Sequence, residues 1–290
     1  MDVEVDRVGH RAYVADGDAG LQIIDVSVHC TPGVVGRVDT PGEARSVQVV
    51  GSLAYVADWQ SGLQVIDISE PSAPRIVGSV DTPDVATAVH VVGSLAYVAG
   101  LNSGMQVIDI SAPTAPRLVG AIDTPGKAED VQVVGTIAFV ADGASGLQLI
   151  DVSVSSAPRL LDSFDTPGFA RKLHVVGSLV YVADGSSSGL QVIDVSRPSS
   201  LRWGGSILTP GNAWDVKIVG NRAYVADADS GLQVVDVSVR GTPRLVEGVD
   251  TPGSALGVHV VEDLAYVADG SGGLLIIRPE PSVAGVAGRR

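Results

Sequence analysis

The chain has 290 residues, a formal net charge of −14, a sequence pI near 4.6 and one cysteine, Cys30. That acidic balance argues against nucleic acid as a partner, and no run of eighteen or more apolar residues is present to insert into a membrane. A single thiol rules out an intrachain disulfide and leaves the redox compartment open.

The dominant feature is a repeat. A Tyr-Val-Ala-Asp type tetrad begins at Tyr13, Tyr55, Tyr97, Phe139, Tyr181, Tyr224 and Tyr266, in steps of 42, 42, 42, 42, 43 and 42 residues. A second phrase of the type Gly-Leu-Gln-Val-Ile-Asp-Val-Ser follows each tetrad, starting at Gly20, Gly62, Gly104, Gly146, Gly189, Gly231 and Gly273. The 43-residue step comes from one extra serine between Asp184 and Gly189. A period of this length signals a solenoid, a propeller or an array.

Copy two reads as four short strands, Arg45 to Val50, Leu53 to Asp58, Leu63 to Ser69 and Arg75 to Val80. Gly51-Ser52, Gly62, the Pro71/Pro74 segment and Asp81-Thr82-Pro83 separate them, all residues that end strands. No helical period is visible. In the third strand Leu63 and Val65 alternate with Ile66 and Ile68, so both faces are apolar and a lone sheet could not bury them. Stacking against neighbours on both sides and closing the ring solves that problem. The sequence therefore predicts an all-β, seven-bladed β-propeller, with Val47, Val89, Val131, Leu173, Val216 and Val258 on the innermost strands. A parallel β-helix is disfavoured, because its coils are usually shorter than four strands.

Blade boundaries are expected near 1–42, 43–84, 85–126, 127–168, 169–211, 212–253 and 254–278, with 279–290 a C-terminal tail. The last copy lacks a clear fourth strand. Its closing strand is expected either from Val283 to Ala287 as a weak substitute, or from sequence upstream of Met1 in a longer chain.

The Leu-Gln-Val-Ile-Asp phrase, with the Ala-Tyr-Val-Ala-Asp and Asp-Thr-Pro-Gly phrases, resembles the LVIVD repeat over essentially the whole chain. That resemblance implies a propeller of the kind common in bacterial and archaeal surface or secreted proteins, and so an extracytoplasmic setting. It implies a binding or scaffold role and carries no catalytic residues.

Internal comparison separates architecture from candidate function. The aspartate ending the second strand (Asp16, Asp58, Asp142, Asp184, Asp227, Asp269, with Gly100 the exception) reads as a turn residue bonding the loop amides that follow it. The pairs Asp16/Asp18 and Asp227/Asp229 invite a calcium reading, but calcium needs about six to eight oxygen ligands and neither loop supplies them. Asp25, Asp67, Asp109, Asp151, Asp194 and Asp236 read as structural, bonded to the loop amides and the serine two residues on.

His90, His174 and His259 share one position of the innermost strand with Asp6, Gln48, Gln132 and Lys217. Zinc would hold imidazole nitrogens at about 2.0–2.1 Å, and these histidines lie on separate blades, so a polar ring lining a wet channel is the expectation. No metal and no cofactor are expected. No nucleophile-elbow phrase, no phosphate loop and no Cys-x-x-Cys is expected, and the serines and aspartates lie in repeating turns that assemble no triad.

Variation concentrates on one face, the top, which carries the loops after the fourth and second strands. Ala44, Ala86, Ala128, Ala170, Ala213 and Ala255 recur there, while the residues before and after each alanine differ. Phe169, Arg171, Lys172, Asn212 and Trp214 fall on adjacent blades, with Arg45 and Glu129 at equivalent positions elsewhere in the ring. Aromatic and arginine anchors of this kind are enriched at interaction hot spots. The leading expectation is a monomeric, non-enzymatic module that binds a protein or a glycan through this face. A hydrolase or lyase acting in the axial channel, and a structural cell-surface module, are the alternatives.

Overall fold

The computed structural model describes residues 1–6 and 10–279. Seven antiparallel sheets follow one another along the chain, six of four strands and a last of three, each in simple meander order. Blade one spans Asp2–Asp6, Arg11–Ala15, Leu21–Asp25 and Gly33–Val38, and blade seven has only Gly257–Val261, Leu264–Ala268 and Leu274–Ile277. Among the described residues there is no α-helix, only a one-turn 3-10 segment at Gly270–Gly272. The closing strand expected at Val283 to Ala287 lies outside the described residues.

The core is seven wedges, each shared by two neighbouring blades. Tyr55, Ala57, Leu63 and Val65 of blade two pack against Ala86, Val89, Val91, Ala96, Val98, Ile108 and Ile110 of blade three, and the arrangement repeats around the ring. Val3, Val5, Ala12, Val14 and Val26 of blade one meet Leu264, Tyr266 and Ala268 of blade seven, so the ring closes on itself. The six innermost-strand residues expected inside, from Val47 to Val258, are all buried. In the second strand, Leu53–Ala57, all but the first residue are buried, because both faces meet another sheet. Blades converge toward the axis, and the fully buried alanines at Ala54, Ala96, Ala138, Ala223 and Ala265 let the sheets approach there.

Two recurring devices lock each blade to the next. Every recurrent alanine of the top face is fully buried; five of the six exchange two backbone hydrogen bonds with the preceding blade, as Ala86 does with Trp59 at 2.8 and 3.1 Å, and Ala213 accepts one from Gly185 at 3.3 Å. The second device corrects the reading of the tetrad aspartates. They do not cap the loops that follow them. Asp58 accepts 2.5 and 2.9 Å bonds from the Thr40 hydroxyl and the Gly42 amide, in the Asp-Thr-Pro-Gly segment that crosses from blade one. The same pairs recur at Asp142, Asp184, Asp227 and Asp269. Where the aspartate is lost, at Gly100, the crossover glycine is replaced by Asp84, whose carboxylate takes the backbone and side-chain amides of Asn102 at 3.1 and 2.9 Å. The exception moves the carboxylate to the other side of the same gap.

The third-strand aspartates keep their expected local bond, with Asp67 accepting from the Ser69 amide at 3.0 Å. Asp67 and Asp109 also pair with the arginine that opens the fourth strand, Arg75–Asp67 at 2.7 Å and Arg117–Asp109 at 2.9 Å, whereas Asp194 pairs with Arg240 of the next blade at 3.0 Å. These sites are solvated, so each pair contributes little to stability.

The crossover bonds are buried and charged, which makes them the costly ones to lose. Asp142→Ala should destabilise the protein by about 2 kcal/mol by orphaning Thr124 and Gly126, whereas Asp151→Ala, on the solvated side of the same blade, should cost under about 1 kcal/mol. Urea denaturation of both variants checks this, and equal losses would show that the crossover pin carries no special weight.

Candidate functional site

Seven innermost strands present their first, third and fifth residues to the axis and enclose a polar cavity of about 190 Å³. The innermost strand has one edge paired inside its blade, so its other edge offers amides that need partners. Side chains of the preceding blade supply them. At the third position, Glu4, Gln48, His90, Gln132 and His174 accept from the amides of Val49, Val91, Val133, Val175 and Ile218, at 2.5, 2.5, 3.2, 2.8 and 2.8 Å. Glutamate, glutamine and histidine interchange here because each offers an acceptor. Both histidines accept through Nδ1, so those lone pairs are not available to a metal. Among the described residues no group of three metal-binding side chains is assembled.

The structure assigns this ring position in blade one to Glu4, not Asp6, because Glu4 lies opposite Tyr13 as Gln48 lies opposite Tyr55. The first hairpin separates its strands by four residues where the second uses two, which shifts the register by two. Asp6 instead stands level with the exposed valines Val50, Val92, Val134, Val176 and Val219 at the bottom rim. Lys217 and His259 line the cavity at the ring level.

Above this ring lies a charged one. Lys172, expected among the top-face residues, turns inward instead, its Nζ 2.7 Å from Asp2 and 3.5 Å from Asp215. Asp2, Asp130 and Asp215 also accept from the neighbouring amides of Val47, Leu173 and Val258, at 3.3, 3.0 and 3.0 Å. Desolvation opposes the Lys172 ammonium, but the carboxylates of Asp2, Asp215 and Asp130 outweigh it and hold its pKa above the ordinary value. Desolvation pushes Asp130 up to about 7 despite Lys172. Glu4 is likewise raised to about 7 by burial. Burial, aided by Lys217, lowers His90 to about 4 and His174 to about 3, so both rings are neutral imidazoles.

Lys172 also floors a second cleft of about 80 Å³, the top mouth, walled by Met1, Arg45, Trp59, Thr87, Glu129, Arg171, Trp214 and Leu256. Seven of these residues immediately precede an innermost strand, and for all but Met1 the adjoining buried alanine bridge fixes where they stand. The Arg171 guanidinium lies 3.8 Å from the Trp214 ring centroid and 5.2 Å from that of Phe169, a stack across two blades. Phe169 fits there because Gly143 has no side chain, a Cβ at that glycine falling 2.9 Å from the Phe169 ring. Elsewhere in the ring, Arg45 stacks on Trp59 at 4.4 Å and pairs with Glu43 at 2.5 Å. The Nε atoms of Arg45 and Arg171 are buried without a hydrogen-bond partner. Burial raises the Glu129 pKa, with Arg171, Lys127 and Arg45 opposing it. Asn212 does not line the mouth, and its Oδ1 is buried and unbonded. Thr87 has a structural task, its hydroxyl donating to the Ala99 and Ala128 carbonyls at 3.0 Å.

Trp59 lies in the loop after the second strand, away from the alanine-flanking positions where the repeats differ most visibly. It sits at φ 47°, where four other copies place glycine at Gly17, Gly143, Gly185 and Gly270. A bulky residue in that left-handed position costs about 1 kcal/mol or more, and that is the signal by which it could have been found. The loop Gly185–Gly189 spells Gly-x-Ser-x-Gly, the pattern of a nucleophile elbow. It joins two strands of one antiparallel sheet instead of a strand to a helix, so it lacks the elbow's geometry.

Removing the cation from the upper ring should be severe and pH-dependent. Lys172→Met should cost about 3 kcal/mol at pH 8, where the buried carboxylates of Asp2, Asp130 and Asp215 lose the cation that offsets their desolvation. The deficit should shrink as pH falls, because those carboxylates take up protons more readily without the cation; a pH-independent loss in urea titrations would exclude this. The histidine ring should act in the opposite sense to a carboxylate buried neutral. Below about 6.5 the unfolded chain binds protons that the folded rings refuse until about 4 or 3, so stability falls as pH drops through that window. The double variant His90→Gln, His174→Gln keeps both acceptors and should lose roughly 1–2 kcal/mol less per histidine between pH 7 and pH 5.

The LVIVD repeat profile matches residues 2–40, 41–82, 85–124, 125–166, 167–209, 210–251 and 252–277. No curated protein matches the chain in sequence. Among solved structures it is similar to the Pseudomonas aeruginosa periplasmic gluconolactonase, with TM-score 0.80 and 16% identity over 94% of this chain and 92% of that one. The β-propeller domain of Cps50 (Swd1) from Myceliophteria thermophila gives TM-score 0.77 at 14% identity, covering 97% of each. BamB from Moraxella catarrhalis gives 0.63 at 16%, over 94% of this chain and 81% of that one. Identities this low speak to the fold alone. Seven matched repeats, one per sheet around a closed ring, make this chain a member of the LVIVD repeat family.

Proposed function

We propose that the protein is a non-enzymatic binding module that engages a protein or glycan partner through the top mouth, in an extracytoplasmic or cell-surface setting. The observation that carries this reading is the pair of arginine–tryptophan stacks, Arg171 on Trp214 and Arg45 on Trp59. Each holds a planar cation and an aromatic ring in place before any partner arrives, which lowers the ordering cost of binding. Their placement on a rigid ring of alanine bridges gives the mouth a fixed shape. Glu129 and Lys172 add one charge of each sign within reach of the same cleft.

The alternative, an enzyme acting in the axial cavity, draws support from two carboxyl groups poised near pH 7, Glu4 and Asp130. Against it, both already accept a backbone amide of the next blade. The Lys172 cluster also stands between the mouth and the lower ring. The binding reading is therefore preferred.

Affinity capture from culture medium together with glycan-array screening would identify what the protein retains. Replacing Arg171 and Trp214 together with alanine should leave the urea midpoint close to that of the parent and weaken retention at least about tenfold. Trp59→Gly should also weaken it, without destabilising the fold by more than about 0.5 kcal/mol, since glycine relieves the left-handed backbone. Leu256→Ala at the same rim should have little effect. Equal losses from Leu256→Ala and from the arginine–tryptophan pair, or no loss from either, would refute the assignment of this site.

A further inference from the structure

One member of the axial ring breaks the pattern of the others. At the third position of the innermost strand, Glu4, Gln48, His90, Gln132 and His174 each accept from an amide of the following blade. Blade six puts Lys217 there, opposite Tyr224 as Gln48 is opposite Tyr55. An ammonium has three donors and no acceptor, so the amide due to be served in blade seven is left over. That amide belongs to Val260, which stands opposite Ala265 as Val49 stands opposite Ala54, so its N–H points out of its own sheet in the same way. Val260 is 2% exposed, and among the described residues no acceptor reaches this N–H. Among the same residues no hydrogen bond or ion pair engages half-buried Lys217. Buried amides without a partner are rare, and here one falls at the ring position next to a cation that also lacks one.

The rest of the ring adds donors. His90 and His174 accept at Nδ1 and are neutral, so each carries its proton on Nε2. Gln48 and Gln132 accept at Oε1, which leaves their side-chain NH2 groups. Among the described residues none of these four groups donates to another. All four side chains, with Lys217, line the axial cavity of about 190 Å³. Lys217 lies close enough to lower the pKa of both histidines. Glu4 is the one carboxylate at this level among the described residues, and burial raises it to about 7. A cation, an unserved amide and four unengaged donor groups around one chamber are complementary to a small anion.

The levels above and below narrow the choice of anion. Above, Asp2, Asp130 and Asp215 set three carboxylates against the single ammonium of Lys172, which disfavours a multiply charged anion and obstructs entry from the top. Below, the same strands end in Val50, Val92, Val134, Val176 and Val219, all exposed at the bottom rim. A donor-lined chamber with an apolar collar at its lower end suits an ion with a charged head and a short apolar tail. We propose that the axial cavity binds a small monocarboxylate through the bottom face, its carboxylate bridging the Lys217 ammonium and the Val260 amide and its alkyl chain lying among the rim valines. The site is at the opposite end of the axis from the Arg171–Trp214 mouth and stands independently of it.

The test titrates the full chain, isotope-labelled at the valine amides, with sodium butyrate, sodium acetate or sodium chloride at constant ionic strength. Butyrate should shift the Val260 amide resonance saturably, with a Kd of about 1 mM or tighter. Acetate, two methylenes shorter, should bind about tenfold more weakly, and chloride more weakly still. Lys217→Gln restores the acceptor that Gln48 and Gln132 supply elsewhere in the ring. It should fold with a urea midpoint no lower than the parent's, yet bind butyrate about tenfold or more weakly. No saturation by about 50 mM butyrate, equal affinities for butyrate and acetate, or an unchanged butyrate affinity in Lys217→Gln would overturn the proposal. So would a Val260 shift that chloride reproduces at the same concentrations, since salt alone would then account for it. If Lys217→Gln did not fold, the Val260 resonance of the parent and the order of the three anions would decide.

Discussion

A four-stranded sheet that is apolar on both faces cannot exist alone in water, and every other property of this molecule follows from that. Ile66 and Leu63 point to opposite sides of one strand and are both fully buried, one against each neighbouring blade. Burial of that kind is worth roughly 1.5–3 kcal/mol per large aliphatic side chain, but only when both neighbours are present. Closure is therefore a condition of stability for each blade and not an addition to it. The wedge between blades one and seven has to be as apolar as the rest, and it is.

Closure creates a second demand at the axis. Seven innermost strands turn an unpaired edge toward a cavity too narrow for bulk water to serve every amide. The preceding blade answers with an acceptor, and the identity of that acceptor is free within limits. Glutamate, glutamine and neutral histidine all satisfy the same amide geometry, which is why the ring looks variable in sequence and uniform in structure. The cost is electrostatic. Groups held this way are desolvated, so Glu4 rises to about 7 while His90 falls to about 4. The shifted values here express the closing of a ring, and perturbed titration alone does not mark a catalytic centre.

The fold was legible because the period and the two-faced strands are properties of the residues themselves. The partners were less so. Asp58 and Thr40 are eighteen residues apart, and nothing local announces that a turn-like aspartate reaches back across a blade boundary. The clue was the coupled exception, with Gly100 and Asp84 departing from the pattern in the same repeat. Tetrad spacing alone places Asp6 in the ring because it presumes equal hairpins, and the first hairpin is two residues longer. Lys172 adjoins Arg171 in sequence, but strand alternation sends consecutive side chains to different surroundings. One faces the mouth and its neighbour the axis. The arginine–tryptophan stacks could not be read from spacing, since they depend on how far adjacent loops lean toward each other.

Departures from a repeat fall into two kinds, and the structure separates them by what they cost. Gly100 with Asp84 is a compensated pair, in which a carboxylate has moved across the gap and the crossover is still pinned. Such a change is neutral to the architecture and carries no functional information. Trp59 is different. It occupies a left-handed position that four copies give to glycine and that Leu101 and Ala228 share, but of these three only its side chain lines the mouth, resting against Arg45. Arg45 and Arg171 likewise leave a buried Nε without a partner, a burden that Thr87 at the equivalent position avoids through two backbone bonds. Neutral drift discards residues that cost stability and give the fold nothing back. Two such burdens converge on one cleft of the ring, each resting on an aromatic face. That convergence, more than the variability of the loops, is what favours the mouth in the proposed binding role.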